Sequence, residues 1–462
     1  MKFKYLLLCT ALIIPAGISR AQQIKPATAD TIKFTLQQAI EFARKNNLNV
    51  KNAVLDLESA KKQVWEYTAM GLPQVNGEAD YQNIFKVPAI SFGPSIDYYS
   101  LSKLPSDHVL TVSDLGIANG GSLALGVKEN ITYDVSVSQL IFSGQYLVGL
   151  QASRILKELS EQALSKSEFD TRASVSQSYY LVLISQEGLR ILESSLNAVN
   201  KTLSDMEAMN QQGLIEGTDV DQIRVNKLNI ENLVRTTQAS SELAYRLLKF
   251  QLGLNLNQPI ALTDNLDHLI AARNFTISTN EEFNINNNID YKMMLTAEQL
   301  ANMNLKHEMA MNLPTLSAFY RHLEQVKKPE FNFNFPNLLA VHLAVPIFSS
   351  GMRMSRVAQA KIALEKSSNQ RELVQQGTTI AFQQSRINYN KALSDYENLK
   401  QSVDLSDKIY QKTLIKYKEG VSSSLELTQA QNQFLQTESN YYTAIMALFS
   451  AQTALERLMA TE

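Results

Sequence analysis

Two stretches alternate apolar and polar residues with a period of two. From Ile131 to Ile141, Ile131, Tyr133, Val135, Val137 and Ile141 alternate with Thr132, Asp134, Ser136 and Ser138. From 339 to 347, Leu339, Val341, Leu343, Val345 and Ile347 alternate with Ala340, His342 and Ala344. Such alternation predicts half-buried strands. Val75, Ala79 and Tyr81, set against Gln74, Asn76, Glu78 and Asp80, predict a third strand, and residues 314–323 a fourth. After the first two runs the period changes. Ile-Phe-Ser-Gly at 141–144 and Ile-Phe-Ser-Ser-Gly at 347–351 each lead into a long proline-free stretch. There the apolar spacing becomes 3, 4, 3, 4, as in Leu189, Leu192, Leu196, Val199, Leu203 and Met206, and again from Leu427 through Ala430, Phe434 and Tyr441 to Leu458. That is coiled-coil spacing. Read as one helix, residues 145–212 span about 100 Å.

The chain is an internal repeat. Asn46-Asn47 and Leu72-Pro73 recur as Asn287-Asn288 and Leu313-Pro314, both 241 residues later. Gly144 and Gly213 recur as Gly351 and Gly420, both 207 later. The difference of 34 residues falls within 87–127, predicted to be a long surface loop. Each copy reads helix, strand, loop, strand, long helix, turn, long helix. Thr35 and Gln38 offer a capping box for the first helix, which must end before Pro73. Repeat one spans 22–253, a linker 254–285 and repeat two 286–462, with hairpin tips near 213 and 420. Only 17 Gly and 11 Pro in 462 residues agree with long elements.

The N-terminus has the form of an export signal, residues 1–21. Lys2 and Lys4 precede an apolar run from Tyr5 to Ile14, and Ser19-Arg20-Ala21 supplies small residues before Gln22. Cys9, the single cysteine, lies inside that run, so no disulfide or cysteine metal site is expected. A net charge of -2 gives no field for nucleic acid. The five histidines lack ligand spacing, and neither a nucleophile motif nor a phosphate loop occurs. The sequence thus predicts no enzyme activity and no cofactor.

Four strands cannot close a barrel, and a sheet spanning lipid cannot leave edges open. If the strands lie in a membrane, several chains must share one barrel, and three chains would supply twelve strands. A sheet with one face on a soluble core alternates in the same way. A periplasmic or surface coiled-coil structural protein is therefore the alternative.

The phrase FTLQQAIEFARKNNLNV at 34–50, the two Leu-Pro exits, the two Phe-Ser junctions and YKEGVSSSLELTQAQNQFL at 417–435 resemble the TolC family of outer-membrane efflux channels. The likeness runs over nearly all of the chain after the signal. Leu48 departs from it, since the family often has proline there. The resemblance implies an α+β membrane protein. In it, four strands per chain join a trimeric 12-stranded outer-membrane barrel, and long antiparallel helices continue that barrel as a periplasmic tunnel. It implies a homotrimer in outer-membrane lipid of a Gram-negative bacterium. A periplasmic adaptor protein and an inner-membrane efflux pump or ABC exporter would be its partners. It also implies an iris-like gate at the helix tips, with Glu426 and its repeat counterpart Asp219 as aperture acids and Tyr417 as a closed-state contact. A second family acid is replaced by Gln429. Gly213, Leu214, Ile215, Gly420, Val421, Ser422, Ser423 and Ser424 form the tip turns and the expected adaptor contacts. Phe142, Gly144, Phe348 and Gly351 mark the strand-to-helix junctions, with both phenylalanines expected at the membrane interface and both glycines expected to relax a bend.

Overall fold

A computed structural model describes residues 31–91, 103, 122–124, 126–272, 283–328 and 334–459. The expected export signal and most of 87–127 lie outside the described residues. Repeat one begins with β1 (Ile32–Phe34), α1 (Leu36–Asn46), α2 (Leu48–Met70), β2 (Gln74–Asn83), β3 (Ala89–Ser91) and β4 (Ser122–Ala124). It continues with β5 (Glu129–Ser143), α3 (Gly144–Gln211) and α4 (Gly217–Leu252). The linker contributes β6 (Ile260–Leu262) and α5 (Leu266–Ala272). Repeat two has a 3₁₀ turn (Ile285–Asn287), α6 (Ile289–Ala310), β7 (Thr315–Gln325), β8 (Asn337–Ala344), α7 (Met352–Lys418) and α8 (Ser424–Met459).

The four long strands form one antiparallel sheet in the order β2-β5-β7-β8, open at both edges. Its register aligns the apolar alternation. Val75 faces Val137, Val137 faces Tyr320 and Tyr320 faces Leu339, one apolar row across all four strands. On the other face, Asn76, Ser136 and Arg321 lie in one row. In a single chain the apolar row is largely bare: Val75 is 68% exposed, Tyr320 42% and Leu339 73%. The expected loop 87–127 is not wholly irregular, because β3 and β4 pair within it.

α3 is a single helix of 68 residues and α7 one of 67. Beside them, α2 and α4, and α6 and α8, are stacked in pairs. The sequence pattern predicts one opening helix, but the structure breaks it at Asn47, where ψ of 134° leaves the helical region. The cause is a hydrogen-bonded joint. Asn47 is 4% exposed. Its side-chain oxygen accepts from Asn49 N at 2.8 Å, capping α2, and its Nδ2 donates to the carbonyl of Gln251 at the end of α4, 2.7 Å away. Both ends otherwise carry unpaired backbone groups. Gly253, at φ +72°, ends α4 so close to α1 that a Cβ there would lie 2.3 Å from Asn46 O.

Repeat two builds the same joint. Asn288, 2% exposed, accepts from Tyr291 N at 3.2 Å and donates to Leu458 O at 3.2 Å. Asn288 follows Asn47 by 241 residues and Leu458 follows Gln251 by 207, the two repeat offsets. Thus α2 continues the line of α4, and α6 that of α8. Stacked lengths of 23 and 36 residues, and of 22 and 36, come near those of α3 and α7. Leu48 occupies the first helical position of α2, where proline is also well tolerated.

The main core lies around the joints. Tyr179, Tyr180 and Leu183 of α3 pack with Leu248 and Leu252 of α4, Ala39 and Ala43 of α1, Phe382 of α7 and Phe449 of α8. Tyr180 stacks on Phe449 at 4.2 Å. The linker closes this core: β6 pairs in parallel with β1, and Asp264 accepts from Leu36 N (2.7 Å) and from the Tyr179 hydroxyl (2.9 Å).

Replacing Asn288 by Ala removes a cap and orphans a half-buried carbonyl, an expected loss of about 1–3 kcal/mol. Asn288→Asp keeps the cap acceptor but turns a carboxylate oxygen toward the Leu458 carbonyl in place of the donor. In thermal or denaturant unfolding, both variants are expected to be weaker than wild type. Equal stability of Asn288→Ala and wild type would show that the joint holds nothing.

Candidate functional site

The two hairpin tips are copies of one turn. After α3, Gly213 takes φ +73°, its N–H bonds Asn210 O at 2.9 Å and Leu214 N bonds Met209 O at 3.0 Å. After α7, Gly420 takes φ +73°, with Gly420 N to Tyr417 O at 3.0 Å and Val421 N to Lys416 O at 2.9 Å. Both are Schellman endings, in which left-handed glycine satisfies the last helix carbonyls. Leu214 and Val421 project outward, 65% and 74% exposed. Ile215 is half-buried against Val199, Leu203, Met206 and Ile223.

Asp219 and Glu426 both stand third in their helices, yet their side chains take different partners. Ser423 Oγ accepts from Glu426 N (3.2 Å) and Glu426 Oε2 accepts from Ser423 N (3.3 Å), a capping box. The Ser422 hydroxyl donates to the same carboxylate oxygen. That bond first, then the Ser423 N–H and the charge of Lys416, holds the fully exposed Glu426 carboxyl below the ordinary value. In repeat one the cap position is Glu216, which makes no side-chain cap bond. Asp219 instead reaches across and accepts from the Ser424 hydroxyl at 2.5 Å. This bond ties α4 of one hairpin to α8 of the other.

Ser424 is 3% exposed and its hydroxyl is used within the chain. This corrects its expected place among outward contacts. Tyr417 is half-buried, packed on the Val199–Ile223 cluster of the opposite hairpin. Burial first, and then the nearby Asp219 charge, raises its phenol above the ordinary value. Two turns deeper, buried Asn226 and Gln431 join the hairpins again at 2.9 Å.

The two strand-to-helix junctions differ, which corrects the expectation of two bend-relaxing glycines. Gly144 is the first residue of α3, whose cap is Ser143 (Tyr146 N to Ser143 Oγ, 3.3 Å). It gives room rather than a bend: a Cβ there would lie 2.6 Å from Leu313 and 3.3 Å from the Ala310 side chain. Gly351 has open space around it but takes φ +83°, and Ser350 beside it takes φ 49°. In repeat one the strand passes directly into the helix, whereas β8 stops at Ala344, before Pro346. Phe142 is 40% exposed and Phe348 85%.

Strand register also gathers Glu78, Asp80 and Asp134 on the polar face, with carboxylate oxygens within 4.8 Å of one another. Glu78 lies directly opposite Asp134. Alternation alone shows that these residues are polar, but only the pairing brings them together.

An open four-stranded sheet continued by two long helical hairpins is the fold this chain shares with solved outer membrane channels. CusC, in crystal structures describing transmembrane channel formation, superimposes with TM-score 0.71 at 17% identity over 96% of each chain. The Campylobacter jejuni CmeC outer membrane channel gives 0.72 at 16% identity, over 92% of this chain and 85% of that one. The open-state Neisseria gonorrhoeae MtrE outer membrane channel gives 0.66 at 15%, over 92% and 88%. Residues 333–461, within repeat two, match the family model described as outer membrane efflux protein. No curated protein matches the sequence.

A double-mutant cycle tests the Asp219–Ser424 tie. Asp219→Ala and Ser424→Ala are expected to couple by about 1 kcal/mol in unfolding free energy. Additive losses would show no interaction. Gly213→Ala and Gly420→Ala are each expected to cost about 1–2 kcal/mol through the left-handed φ alone.

Proposed function

We propose that the chain is one protomer of a homotrimeric outer-membrane channel of a Gram-negative bacterium. It would conduct substrates outward from an inner-membrane pump or ABC exporter through a periplasmic adaptor. The observation that carries this reading is the sheet. Four strands with two free edges and a bare apolar face are unsuited to stand alone in lipid or water. Joining β8 of one chain to β2 of the next removes every edge, and three copies supply twelve strands. The apolar row then faces lipid and the polar face, with Glu78, Asp80 and Asp134, lines the lumen. Among the described residues no helix is long and apolar enough to cross a membrane. A coiled-coil tether would leave this sheet without a role.

The gate in this reading is the tip. The Ser424–Asp219 bond and Tyr417 hold the two hairpins of one chain together. Glu426 is kept ionised by its cap bonds and remains exposed to solvent at the tip. The threefold axis would then place three Glu426 carboxylates around one aperture. Leu214, Val421 and the neighbouring exposed turn residues are the surface offered to an adaptor.

Light scattering on the purified protein is expected to give about three protomer masses, in a heat-modifiable species from the outer-membrane fraction. A soluble monomer would end the channel reading. In planar bilayers, Glu426→Ala is expected to change conductance about twofold and to weaken block by divalent cations. Unchanged conductance and block would remove Glu426 from the aperture. Asp219→Ala, which frees the tie between hairpins, is expected to lengthen open events.

A further inference from the structure

Between the two hairpins of one chain lies a groove of about 970 Å³, lined by α3, α4 and α8. Its walls are mainly apolar: Ile184 and Leu192 from α3, Leu233 from α4, and Leu435, Tyr442 and Met446 from α8. One carboxylate, Glu438, enters this wall. Its Oε2 is buried without a hydrogen-bond partner. The charged groups facing it are Glu187 and Arg190 from α3 and Asp407 from α7, with the Tyr442 phenol one turn along α8. α4 contributes Leu233, Thr237 and Ser240, none of them charged. Arg190 is already engaged: its Nε lies 2.9 and 3.0 Å from the two carboxylate oxygens of Glu187, and its Nη2 2.5 Å from one of them. The cluster therefore has three acids for one spent cation. Burial, followed by the charges of Asp407 and Glu187 and only partly offset by Arg190, pushes the Glu438 carboxyl up to about 7.

A half-buried carboxylate with one oxygen buried and unpaired is costly to ionise, and a counter-charge offered to it is favoured. The groove supplies the rest of a ligand site: concavity, apolar area and an aromatic ring beside the acid. Its volume lies in the range of small-molecule pockets. We propose that this groove binds a lipophilic monocation, with the positive centre at Glu438 and Tyr442 and the apolar body along Ile184, Leu192, Leu233 and Met446. The site is complete within one chain, so it does not rest on the channel assignment. Binding is linked to a proton, because the cation and the proton compete for the same carboxylate.

The test uses the full-length protein in amphipol and isothermal titration with tetraphenylphosphonium. Triphenylphosphine oxide serves as an uncharged probe of similar bulk. Glu438→Gln, which keeps shape and removes charge, is expected to weaken tetraphenylphosphonium by about tenfold or more and to leave the neutral probe unchanged. Lowering the pH from about 8 to about 5.5 is expected to weaken the cation for wild type and not for Glu438→Gln. Leu233→Trp, which fills the groove from another helix, is expected to abolish both probes. Tetraphenylphosphonium bound within about twofold of wild type by Glu438→Gln, or retained by Leu233→Trp, would overturn the proposal.

Discussion

The architecture depends on what happens where one helix stops and another begins. A helix end carries backbone groups that must find partners. Asn47 and Asn288 solve this with a single side chain each, which caps the helix ahead and donates to a carbonyl of the helix behind. Two short helices thereby run as one line beside a continuous partner of 68 or 67 residues. The core of tyrosines, leucines and phenylalanines gathers around these joints. The linker is recruited there as well, through β6 and Asp264. Sheet above and tips below are both placed by this junction.

The tips show how the two repeats diverge at their hairpin ends. The turns are alike to the hydrogen bond, and each acid follows its glycine by six residues. Serine at the cap position binds Glu426 to its own helix, while Glu216 in that place leaves Asp219 free for the other hairpin. One substitution at a cap thus divides two equivalent carboxylates between an inward tie and an outward charge. Tyr417 and the Asn226–Gln431 pair extend the tie along the interface.

Much of this was legible in the sequence because periodicity and offset report directly on rigid elements. The strand faces, the span of α3, the seam from Val199 to Met206 and the positive-φ tip glycines follow from spacing and residue type. The repeated Asn-Asn was visible too, but its meaning was not, since the carbonyls it meets lie 204 and 170 residues away in sequence. Gly144 reads as a flexible joint until Leu313 is seen against it. The Ser423–Glu426 spacing is a local cap signal, and it engages the same side chain that is proposed for the aperture. Asp134 meets Glu78 only through register, and Glu438 is set among other acids only through the packing of three helices. Local rules name the elements, whereas long-range neighbours decide what a polar residue is for.

The joints also set the mechanics of the wall. α3 and α7 are unbroken, so displacement at a tip must bend them as elastic rods along their whole length. The jointed lines have a different compliance: rotation there strains two short hydrogen bonds and the glycine contact at Asn46 rather than dozens of helical bonds. The chain therefore alternates springs with hinges, and both hinges border the same core. A torque applied at the tips would be absorbed there, and the sheet beyond it would remain still.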